Sequence, residues 1–306
     1  MGELRRLNVE LTSACNYSCV GCPTHSLIRG KGVMSLELLK AIFNEVGNDL
    51  DRIFLWGYGD PLLHPDISEI LKYADRFSVK KVLSTTGWMI ENLKEPESLC
   101  QLDELIISIN GLTKESYAKH QINGDLEKVL RGIKRISPIM RNSKTRFIMQ
   151  MVVHKGNLGD ILGAKYFANK YGFDMLVLKS FNVMDKKQET FDEFVPLGTK
   201  FSRYKHKLDE FNVIPDNRKY PCQDWMVVNW DGSVNPCCWD YTGKYNLGNV
   251  GKEGVYKVWN GFTAWNHRDL IKKRNFLDIC INCADSKIVN SYSFTVKGSD
   301  DVNKSI

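Results

Sequence analysis

Three cysteines near the amino end of the chain have a spacing that could hold a metal centre. Cys15, Cys19 and Cys22 lie within eight residues, in the pattern C-x3-C-x2-C. Three thiolates on one short loop can bind one face of a [4Fe–4S] cluster, which leaves one iron without a protein ligand. That open iron could bind a small molecule. A structural zinc site with His25 as the fourth ligand is the alternative, although such sites are usually built from two spaced ligand pairs.

A second group of cysteines lies in the last third of the chain. Cys222 precedes a predicted hairpin, Cys237 and Cys238 end it, and Cys280 and Cys283 form a C-x2-C pair. Four of these thiolates could hold an iron–sulfur cluster or a zinc ion, and the spacing alone does not exclude zinc. Neighbouring side chains on an extended strand point to opposite faces, so the two adjacent cysteines are predicted to have different roles.

The composition is that of an ordinary globular protein. Of 306 residues, 43% are apolar and 25% are charged, and 42 Lys and Arg against 36 Asp and Glu give a net charge of +6. These values exclude collagen-like, low-complexity and wholly disordered chains. No apolar run approaches the ~20 residues that span a bilayer, and no export signal is recognisable. We therefore predict a cytoplasmic protein without membrane contact, in which clustered cysteines indicate metal binding or catalysis.

The elements that must position these cysteines follow an α/β pattern over residues 1–212. Six strands are predicted, each followed by a helical segment, at Leu7–Leu11, Arg52–Trp56, Lys81–Ser84, Glu104–Ile109, Phe147–Val153 and Met175–Lys179. The clearest helices are predicted at Ser35–Val46, Ile67–Ala74, Leu126–Ile136 and Leu158–Lys170. This pattern implies a parallel sheet arranged as a partial TIM-like (β/α)6 barrel, with the chemistry at the carboxyl ends of the strands. Ser35 is a predicted N-cap, which places the first three cysteines in the loop before that helix.

A smaller domain is predicted over residues 213–290. It contains a hairpin, Met226–Asn229 and Val234–Cys237, with Asp231-Gly232 in the turn, followed by a helix over Val255–Lys273. Residues 291–306 are predicted as a frayed C-terminal tail.

The first cysteine motif, directly after the first predicted strand, resembles that of the radical S-adenosylmethionine (SAM) enzymes. Gly57-Tyr58-Gly59-Asp60 resembles the family motif Gly-Gly-Glu-Pro, which holds the amino group of SAM, with Asp60 in place of Glu. Thr86 lies in a segment similar to the family's Thr-Asn-Gly. Ser108 and Asn110 resemble the Ser-Leu-Asp-Gly motif near the methionine or ribose of SAM, with Asn110 in place of Asp. The arginine that often follows is not matched, and His120 or Gln121 lies near that place.

The resemblance implies two kinds of cluster site. Cys15, Cys19 and Cys22 would hold a [4Fe–4S] cluster whose open iron binds SAM. The later cysteines resemble the SPASM/twitch branch and imply one auxiliary [4Fe–4S] cluster on Cys222, Cys237, Cys280 and Cys283, because the chain has no cysteine beyond Cys283. Cys238 is left as a candidate hydrogen donor, and Cys100 is interpreted as a buried or incidental thiol.

The function implied is abstraction of hydrogen from an unactivated C–H bond. The first predicted strand begins within ten residues of the N-terminus. We therefore expect no preceding leader-peptide domain and favour a small polar substrate (a sugar, cyclitol or aminoglycoside-like molecule), with dehydrogenation or epimerisation as the outcome. Modification of a peptide or protein is the first alternative, and a non-catalytic iron–sulfur or zinc protein is the second.

Two further expectations concern partners. The positive net charge suits docking of an acidic flavodoxin or ferredoxin-type electron donor. The basic and aromatic segment Thr199–Lys207 could belong to an RNA-binding surface, but a solvated helix face is favoured because no RNA-binding motif accompanies it. Nucleic acid is therefore not predicted as a partner.

Overall fold

The computed structural model describes residues 2–204, 206–207, 221–280 and 291–296. These residues form two compact units. The first unit contains the described residues of Met1–Cys15, Pro23–Leu83 and Asp209–Ile288, and the second those of Asn16–Cys22, Ser84–Leu208 and Val289–Ile306.

The first unit is built on a sheet in which β1 is the central parallel strand. Its strands are β1 (Arg6–Val9), β2 (Arg52–Phe54), β3 (Lys80–Thr85), β7 (Trp225–Val228), β8 (Ser233–Asn235) and β9 (Gly248–Asn249). β1 pairs in parallel with β2 on one side and with β7 on the other, and β2 pairs in parallel with β3. β7, β8 and β9 are antiparallel neighbours, so the strand order is β3-β2-β1-β7-β8-β9. This confirms the predicted hairpin, which turns at Gly232 with a φ of +82°.

Five α-helices belong to the described part of the first unit. They are α1 (Leu36–Val46), α2 (Ile67–Ala74), α7 (Val250–Glu253), α8 (Val255–Asn260) and α9 (Phe262–Lys272). The Ser35 hydroxyl accepts a hydrogen bond from the Leu38 N–H, which confirms the predicted N-cap of α1. One predicted helix is divided into α8 and α9 because Gly261 adopts extended backbone between them, with a ψ of 156°.

The second unit has three parallel strands and one antiparallel strand. β4 (Glu104–Ser108), β5 (Arg146–Val153) and β6 (Met175–Ser180) are parallel neighbours, and β10 (Ser291–Thr295) pairs with β6 in the antiparallel direction. The strand order is β10-β6-β5-β4. The prediction of a tail from residue 291 did not include β10, which joins the sheet through backbone pairing and leaves alternate side chains exposed.

The helices of the second unit are α3 (Lys114–His120), α4 (Leu126–Arg141), α5 (Ile161–Lys170) and α6 (Gln188–Phe194). α6 follows β6, where a helical segment was predicted without stated bounds, and α3 is an additional helix between β4 and the predicted α4. α4 continues beyond the predicted end at Ile136 and through Pro138, and its last turn buries Met140. Burial of that side chain offsets part of the cost of proline within the helix.

The observed fold class is the predicted one, with a difference after β3. In that segment the structure has two short 3-10 turns, Ile90–Asn92 and Pro96–Gln101, in place of an α-helix. Pro96 lacks the N–H that a longer helix needs at an interior position. Among the described residues neither row of strands closes on itself, so the α/β sheet is the open, partial form.

Candidate active site

The loop with the first three cysteines follows β1 and passes from one unit to the other. Cys15 belongs to the first unit, and Cys19 and Cys22 belong to the second. Within the second unit the Ser18 N–H donates to the Ile122 carbonyl and the Val20 N–H donates to the His120 carbonyl, each at 3.0 Å. The backbone of the loop is therefore fixed to the end of α3. Cys22 is exposed, whereas the other two cysteines are half-buried.

The glycine motif after β2 lies against the residues that immediately precede Cys15. The Asp60 N–H donates to the Ala14 carbonyl at 2.8 Å. A Cβ at Gly59 would lie 2.2 Å from the Thr12 carbonyl oxygen and 2.6 Å from that of Ala14. Only glycine permits so close a backbone approach. The structure thus brings the predicted SAM motif to the start of the predicted cluster loop.

Asp60 also has a local structural role. Its Oδ1 accepts a hydrogen bond from the Leu62 N–H at 3.0 Å, and it caps the short 3-10 turn Pro61–Leu63. The side chain is buried. His64, which follows this turn, was interpreted as structural, and both of its ring nitrogens have backbone partners, the Met34 carbonyl and the Asp66 N–H.

Glu10 is a site residue that the sequence analysis missed. Its side chain is 1% exposed and forms a two-pronged ion pair with Arg29, with both N···O distances at 2.6 Å. The same carboxylate accepts hydrogen bonds from the Tyr58 N–H at 3.0 Å and the Trp230 N–H at 3.3 Å. A lone glutamate at the end of a strand carries no recognisable motif, so no pattern in the sequence indicated this role.

The other predicted SAM contacts lie in the second unit. Thr86 and Ser108 are half-buried; the Thr86 Oγ1 accepts from the Trp88 N–H at 3.3 Å, and the Ser108 carbonyl accepts from the Gln121 Nε2 at 3.0 Å. Their roles towards SAM stay predictions.

Asn110 is buried in a network of polar contacts at the end of β4. Its Oδ1 accepts from the Val152 N–H at 2.8 Å, its Nδ2 lies 2.9 Å from the His120 Nδ1, and its own N–H donates to the Gln121 Oε1. His120 and Gln121, noted near the unmatched arginine, are thus the partners of Asn110. Both polar atoms of the Asn110 side chain have partners within the fold. Its role as a SAM contact stays a prediction.

Two buried histidines lie beside Asn110. The ring centroids of His120 and His154 are 5.4 Å apart, and both rings pack on Phe181. Burial lowers the pKa of His120 to about 3, helped by His154. Burial also lowers the pKa of His154 to about 4, with Lys119 adding to that effect and Asp160 opposing it. At neutral pH both rings are therefore uncharged.

The cysteines of the second group lie in the first unit. Cys222 belongs to the short 3-10 turn Pro221–Gln223 just before β7, and Cys280 ends another, Asp278–Cys280. Burial raises the pKa of the Cys280 thiol. Cys283 lies outside the described residues.

Cys237 and Cys238 differ from prediction in their local structure. β8 ends at Asn235, so both cysteines lie in the turn that follows it and not on an extended strand. The expectation that they point to opposite faces because of strand alternation is therefore wrong in its premise. The Cys237 Sγ accepts a hydrogen bond from the Trp239 N–H at 3.4 Å, and the Cys238 carbonyl accepts one from the Tyr58 hydroxyl.

The donor sets fit iron–sulfur ligation by their chemistry. Over the described ranges no three His, Cys, Asp or Glu side chains converge as a group that could hold a metal ion. The eight described cysteines form no disulfide, and the first three are close in sequence on a loop with fixed backbone. Thiolates are the usual ligands of [4Fe–4S] clusters. The assignment of Cys15, Cys19 and Cys22 to one cluster, and of the later cysteines to another, stays a prediction.

The structure bears on two further predictions, one for Cys100 and one for the segment Thr199–Lys207. Cys100 is half-buried beside β4, and burial raises the pKa of its thiol, in agreement with an incidental role. The interpretation of Thr199–Lys207 as a solvated helix face is wrong. In the described part of that segment there is no helix, and Phe201 and Tyr204 are buried, the latter with its hydroxyl oxygen accepting from the Val183 N–H at 3.0 Å.

Comparison with protein families decides the assignment. The family model of the radical SAM superfamily matches residues 9–162. The chain belongs to the radical SAM superfamily. A second model, that of the SPASM iron-sulfur cluster-binding domain, matches residues 222–284. These matches confirm the predicted family and branch, and they imply a [4Fe–4S] cluster, SAM and auxiliary iron–sulfur binding. Membership of the radical SAM superfamily also supports enzymatic activity.

Curated relatives share modest identity with this radical SAM protein. The "Probable GTP 3',8-cyclase" of Methanocaldococcus jannaschii is 23% identical over 222 residues, which cover 71% of this chain and 73% of the relative. The corresponding protein of Methanothermobacter marburgensis is 25% identical over 76% of this chain and 83% of its own length. The "AdoMet-dependent heme synthase" of Methanosarcina barkeri is 28% identical, and the match covers 53% of this chain and 46% of that protein.

Solved structures share the fold. SuiB of Streptococcus suis, bound to its precursor peptide SuiA, superposes with a TM-score of 0.67 at 12% identity, over 88% of this chain and 67% of that one. The anSMEcpe structure with bound AdoMet has a TM-score of 0.63 at 19% identity, over 92% and 90% of the two chains. BtrN in complex with AdoMet and 2-DOIA has a TM-score of 0.53 at 18% identity, over 95% and 98%. In the described part of the chain no helix is long and apolar enough to cross a membrane.

Proposed function

We propose that this chain is a radical SAM oxidoreductase that abstracts hydrogen from an unactivated C–H bond of a small polar substrate. Cys15, Cys19 and Cys22 would hold a [4Fe–4S] cluster with one open iron. With SAM on that iron and an electron supplied, such a cluster yields a deoxyadenosyl radical, and this is the chemistry it contributes. The protein's own residues must bind SAM, orient it and exclude water.

The observation that carries this proposal is the contact of the glycine motif with the residues before Cys15. Gly59 allows the two backbones to touch, and the Asp60 N–H is bonded to the Ala14 carbonyl. A ligand held by Gly57–Asp60 would therefore lie beside the loop that carries the cluster thiols. We assign the amino group of SAM to the segment of Gly57, Tyr58, Gly59 and Asp60, by resemblance to the family motif. Thr86, Ser108 and Asn110 are assigned to the remaining polar groups of SAM on the same basis.

The auxiliary site is proposed to hold one [4Fe–4S] cluster. Its ligands would be Cys222, Cys237, Cys280 and Cys283. In an oxidation such a site can accept the electron released by a substrate radical, which favours dehydrogenation. Epimerisation is the runner-up, with the Cys238 thiol as the hydrogen donor to the substrate radical. We also propose the domain boundaries 1–212 and 213–290, followed by a C-terminal segment at 291–306 that begins with strand β10.

A small substrate is supported by the names of the curated relatives. Two of those described above are named for GTP, and a third is named for heme synthesis. BtrN, whose fold is shared, was solved with 2-DOIA. SuiB bound to its precursor peptide supports the alternative of a peptide or protein substrate.

We further propose a flavodoxin or ferredoxin-type protein as the electron donor and a reducing, cytoplasmic setting. The net charge of +6 suits an acidic donor. The number of cysteines that clusters would use suits a reducing compartment.

Anaerobic reconstitution with iron and sulfide tests the proposal. The loaded protein is reduced with SAM present, and deoxyadenosine and methionine are measured. Cys19→Ala should abolish deoxyadenosine formation, whereas Cys100→Ala, outside both proposed ligand sets, should retain it. Deoxyadenosine formation by Cys19→Ala, or none by the wild type, would contradict the assignment, and the second result would favour a non-catalytic metal protein. Product masses after incubation with candidate sugars, cyclitols and peptides then identify the substrate class.

A further inference from the structure

One buried carboxylate connects the SAM motif to the hairpin of the auxiliary site. Glu10 follows β1 and accepts the Tyr58 N–H at 3.0 Å and the Trp230 N–H at 3.3 Å. Its charge is balanced by the two-pronged pair with Arg29, whose side chain is itself 8% exposed. Loss of either partner of a buried pair leaves the other charge uncompensated. The Glu10 carboxylate therefore binds the backbone of the Gly57–Asp60 motif and that of the β7–β8 turn at the same time.

The space around Glu10 depends on two glycines. A Cβ at Gly57 would lie 2.4 Å from the Glu10 Cγ, so glycine is required for the carboxylate to reach the motif. A Cβ at Gly32 would lie 2.4 Å from the Trp230 ring. The ring of Trp230 thus occupies the space that a larger residue at position 32 would fill. The turn that begins at Trp230 is held by packing as well as by its hydrogen bond.

Tyr58 forms a second connection, at the other end of the hairpin. Its hydroxyl donates to the Cys238 carbonyl, and its ring packs edge-on to Tyr241 with centroids 6.1 Å apart. Cys238 is next in sequence to Cys237, a proposed ligand of the auxiliary cluster. One residue of the SAM motif therefore has its backbone fixed by Glu10 and its side chain bound beside an auxiliary ligand. All of these residues belong to the first unit.

We propose that Glu10 and Tyr58 are positioning residues that couple SAM binding to the presence of a cluster at the auxiliary site. The inference rests on the proposed function, because it takes Gly57–Asp60 as the SAM motif and Cys237 as an auxiliary ligand. A cluster on Cys237 fixes the turn that carries the Cys238 carbonyl, and this turn holds Tyr58 in place. By linkage the coupling is reciprocal, so SAM must alter the auxiliary site as much as the auxiliary site alters SAM affinity.

The test is a double-mutant cycle read as SAM affinity. The SAM dissociation constant is measured anaerobically by equilibrium dialysis on reconstituted wild type, Tyr58→Phe, Cys280→Ala and the double variant. A typical hydrogen bond predicts that Tyr58→Phe weakens SAM binding about fivefold. Cys280→Ala removes a proposed auxiliary ligand and should weaken binding to a similar extent. The double variant should bind SAM with the same affinity as the single variant that binds it less tightly, because both changes break the same connection.

A matched control separates coupling from the loss of any tyrosine hydroxyl. Tyr73→Phe removes an exposed O–H that donates to the Asn44 Oδ1 at 2.6 Å, in the same unit, and should leave SAM affinity unchanged. If Tyr58→Phe has no effect, or weakens SAM equally with and without Cys280, the coupling is overturned. A wild-type protein that binds no SAM at all overturns the proposed function, and this inference with it.

A spectroscopic measurement on the unmodified protein keeps the inference testable if Tyr58→Phe does not fold. The EPR spectrum of the reduced auxiliary cluster is recorded on wild type with and without SAM. A change in that spectrum on SAM addition is expected. An auxiliary spectrum that is insensitive to saturating SAM would overturn the coupling while leaving the proposed function intact.

Discussion

Gly59, in the proposed SAM motif, lies against the backbone of the residues that precede the cluster loop. The Cβ of alanine would lie 2.2 Å from the Thr12 carbonyl oxygen, a distance that forces one backbone to move. We expect Gly59→Ala to lower the free energy of unfolding by about 1–3 kcal/mol, as overpacking does, and to abolish SAM binding. Thermal unfolding and equilibrium dialysis measure the two effects.

Gly159→Ala is the matched control for this substitution. A Cβ at Gly159 would meet no atom within 4 Å. Its stability should therefore stay within about 0.5 kcal/mol of wild type, with SAM binding retained. Equal effects of the two substitutions would mean that the close approach at Gly59 is not what the motif requires.

The buried histidine pair predicts a dependence of stability on pH. The pKa values of His120 and His154 are lowered to about 3 and about 4, first of all by burial. The unfolded chain takes up protons below about pH 6.5 while the folded protein does not, so stability is complete above that pH and falls as the pH falls towards 4. Between pH 8 and pH 5.5 we expect a loss of roughly 1 kcal/mol for each histidine.

Thermal unfolding midpoints between pH 8 and pH 5.5 test this expectation. His154→Gln should reduce the pH dependence, because the titrating group is gone. His25→Gln, at an exposed side chain, should leave the pH dependence as in wild type. A slope that is the same in wild type and in His154→Gln would show that this histidine is not buried neutral.

At the scale of elements, a carboxylate from α1 caps helix α8. The Glu45 side chain accepts the N–H groups of Val255 and Tyr256, both at 2.8 Å. The residue at the N-cap position is Gly254, which has no side chain to do this and adopts a φ of +86°. We expect Glu45→Ala to lower the free energy of unfolding by about 1–2 kcal/mol, the usual loss for an N-cap.

Glu69→Ala provides the comparison for Glu45→Ala. Glu69 pairs with Lys40 at 3.0 Å, but its side chain is 57% exposed, and such pairs contribute little. Chemical denaturation should separate the two variants by about 1 kcal/mol. If Glu45→Ala is as stable as Glu69→Ala, the capping of α8 from α1 contributes nothing to stability.

Most elements could be predicted because their signals are local. α2 has the predicted bounds, and α1 begins after its predicted cap, since apolar periodicity and Ser35 both lie in the segment itself. β10 could not be predicted in this way, because its pairing partner β6 is more than one hundred residues away in sequence. The division of α8 from α9 depends on one glycine, which a helical pattern tolerates.

The candidate site shows the same contrast. The cysteine spacing and the glycine motif are short patterns and could be recognised without a structure. Glu10 could not, because its role exists only where Arg29, Tyr58 and Trp230 meet in space. Asn110 was recognised by its motif, but its contacts with His120 and Val152 follow from the fold and not from the motif.

At the scale of the whole molecule, net charge predicts how the proposed electron donor would approach. The chain carries +6, and an acidic flavodoxin or ferredoxin-type donor would be attracted over distances comparable to the Debye length. That length falls from about 30 Å at 0.01 M ionic strength to about 10 Å at 0.1 M. We therefore expect the rate of reduction by such a donor to fall severalfold over this range, as followed by stopped-flow absorbance.

Basic residues at the end of α9 allow the location of this attraction to be tested. Lys272, Lys273 and Arg274 are exposed, while Asp269 pairs with Lys273 at 2.7 Å. If the donor docks near this end of the helix, Lys272→Glu should slow reduction at low salt and have little effect at high salt, where screening is strong. The same substitution at exposed Lys170, at the end of α5 in the other unit, changes the net charge equally and controls for long-range attraction. Equal slowing by both variants would mean that net charge acts without a docking site on α9, and salt-independent reduction of the wild type would exclude electrostatic steering altogether.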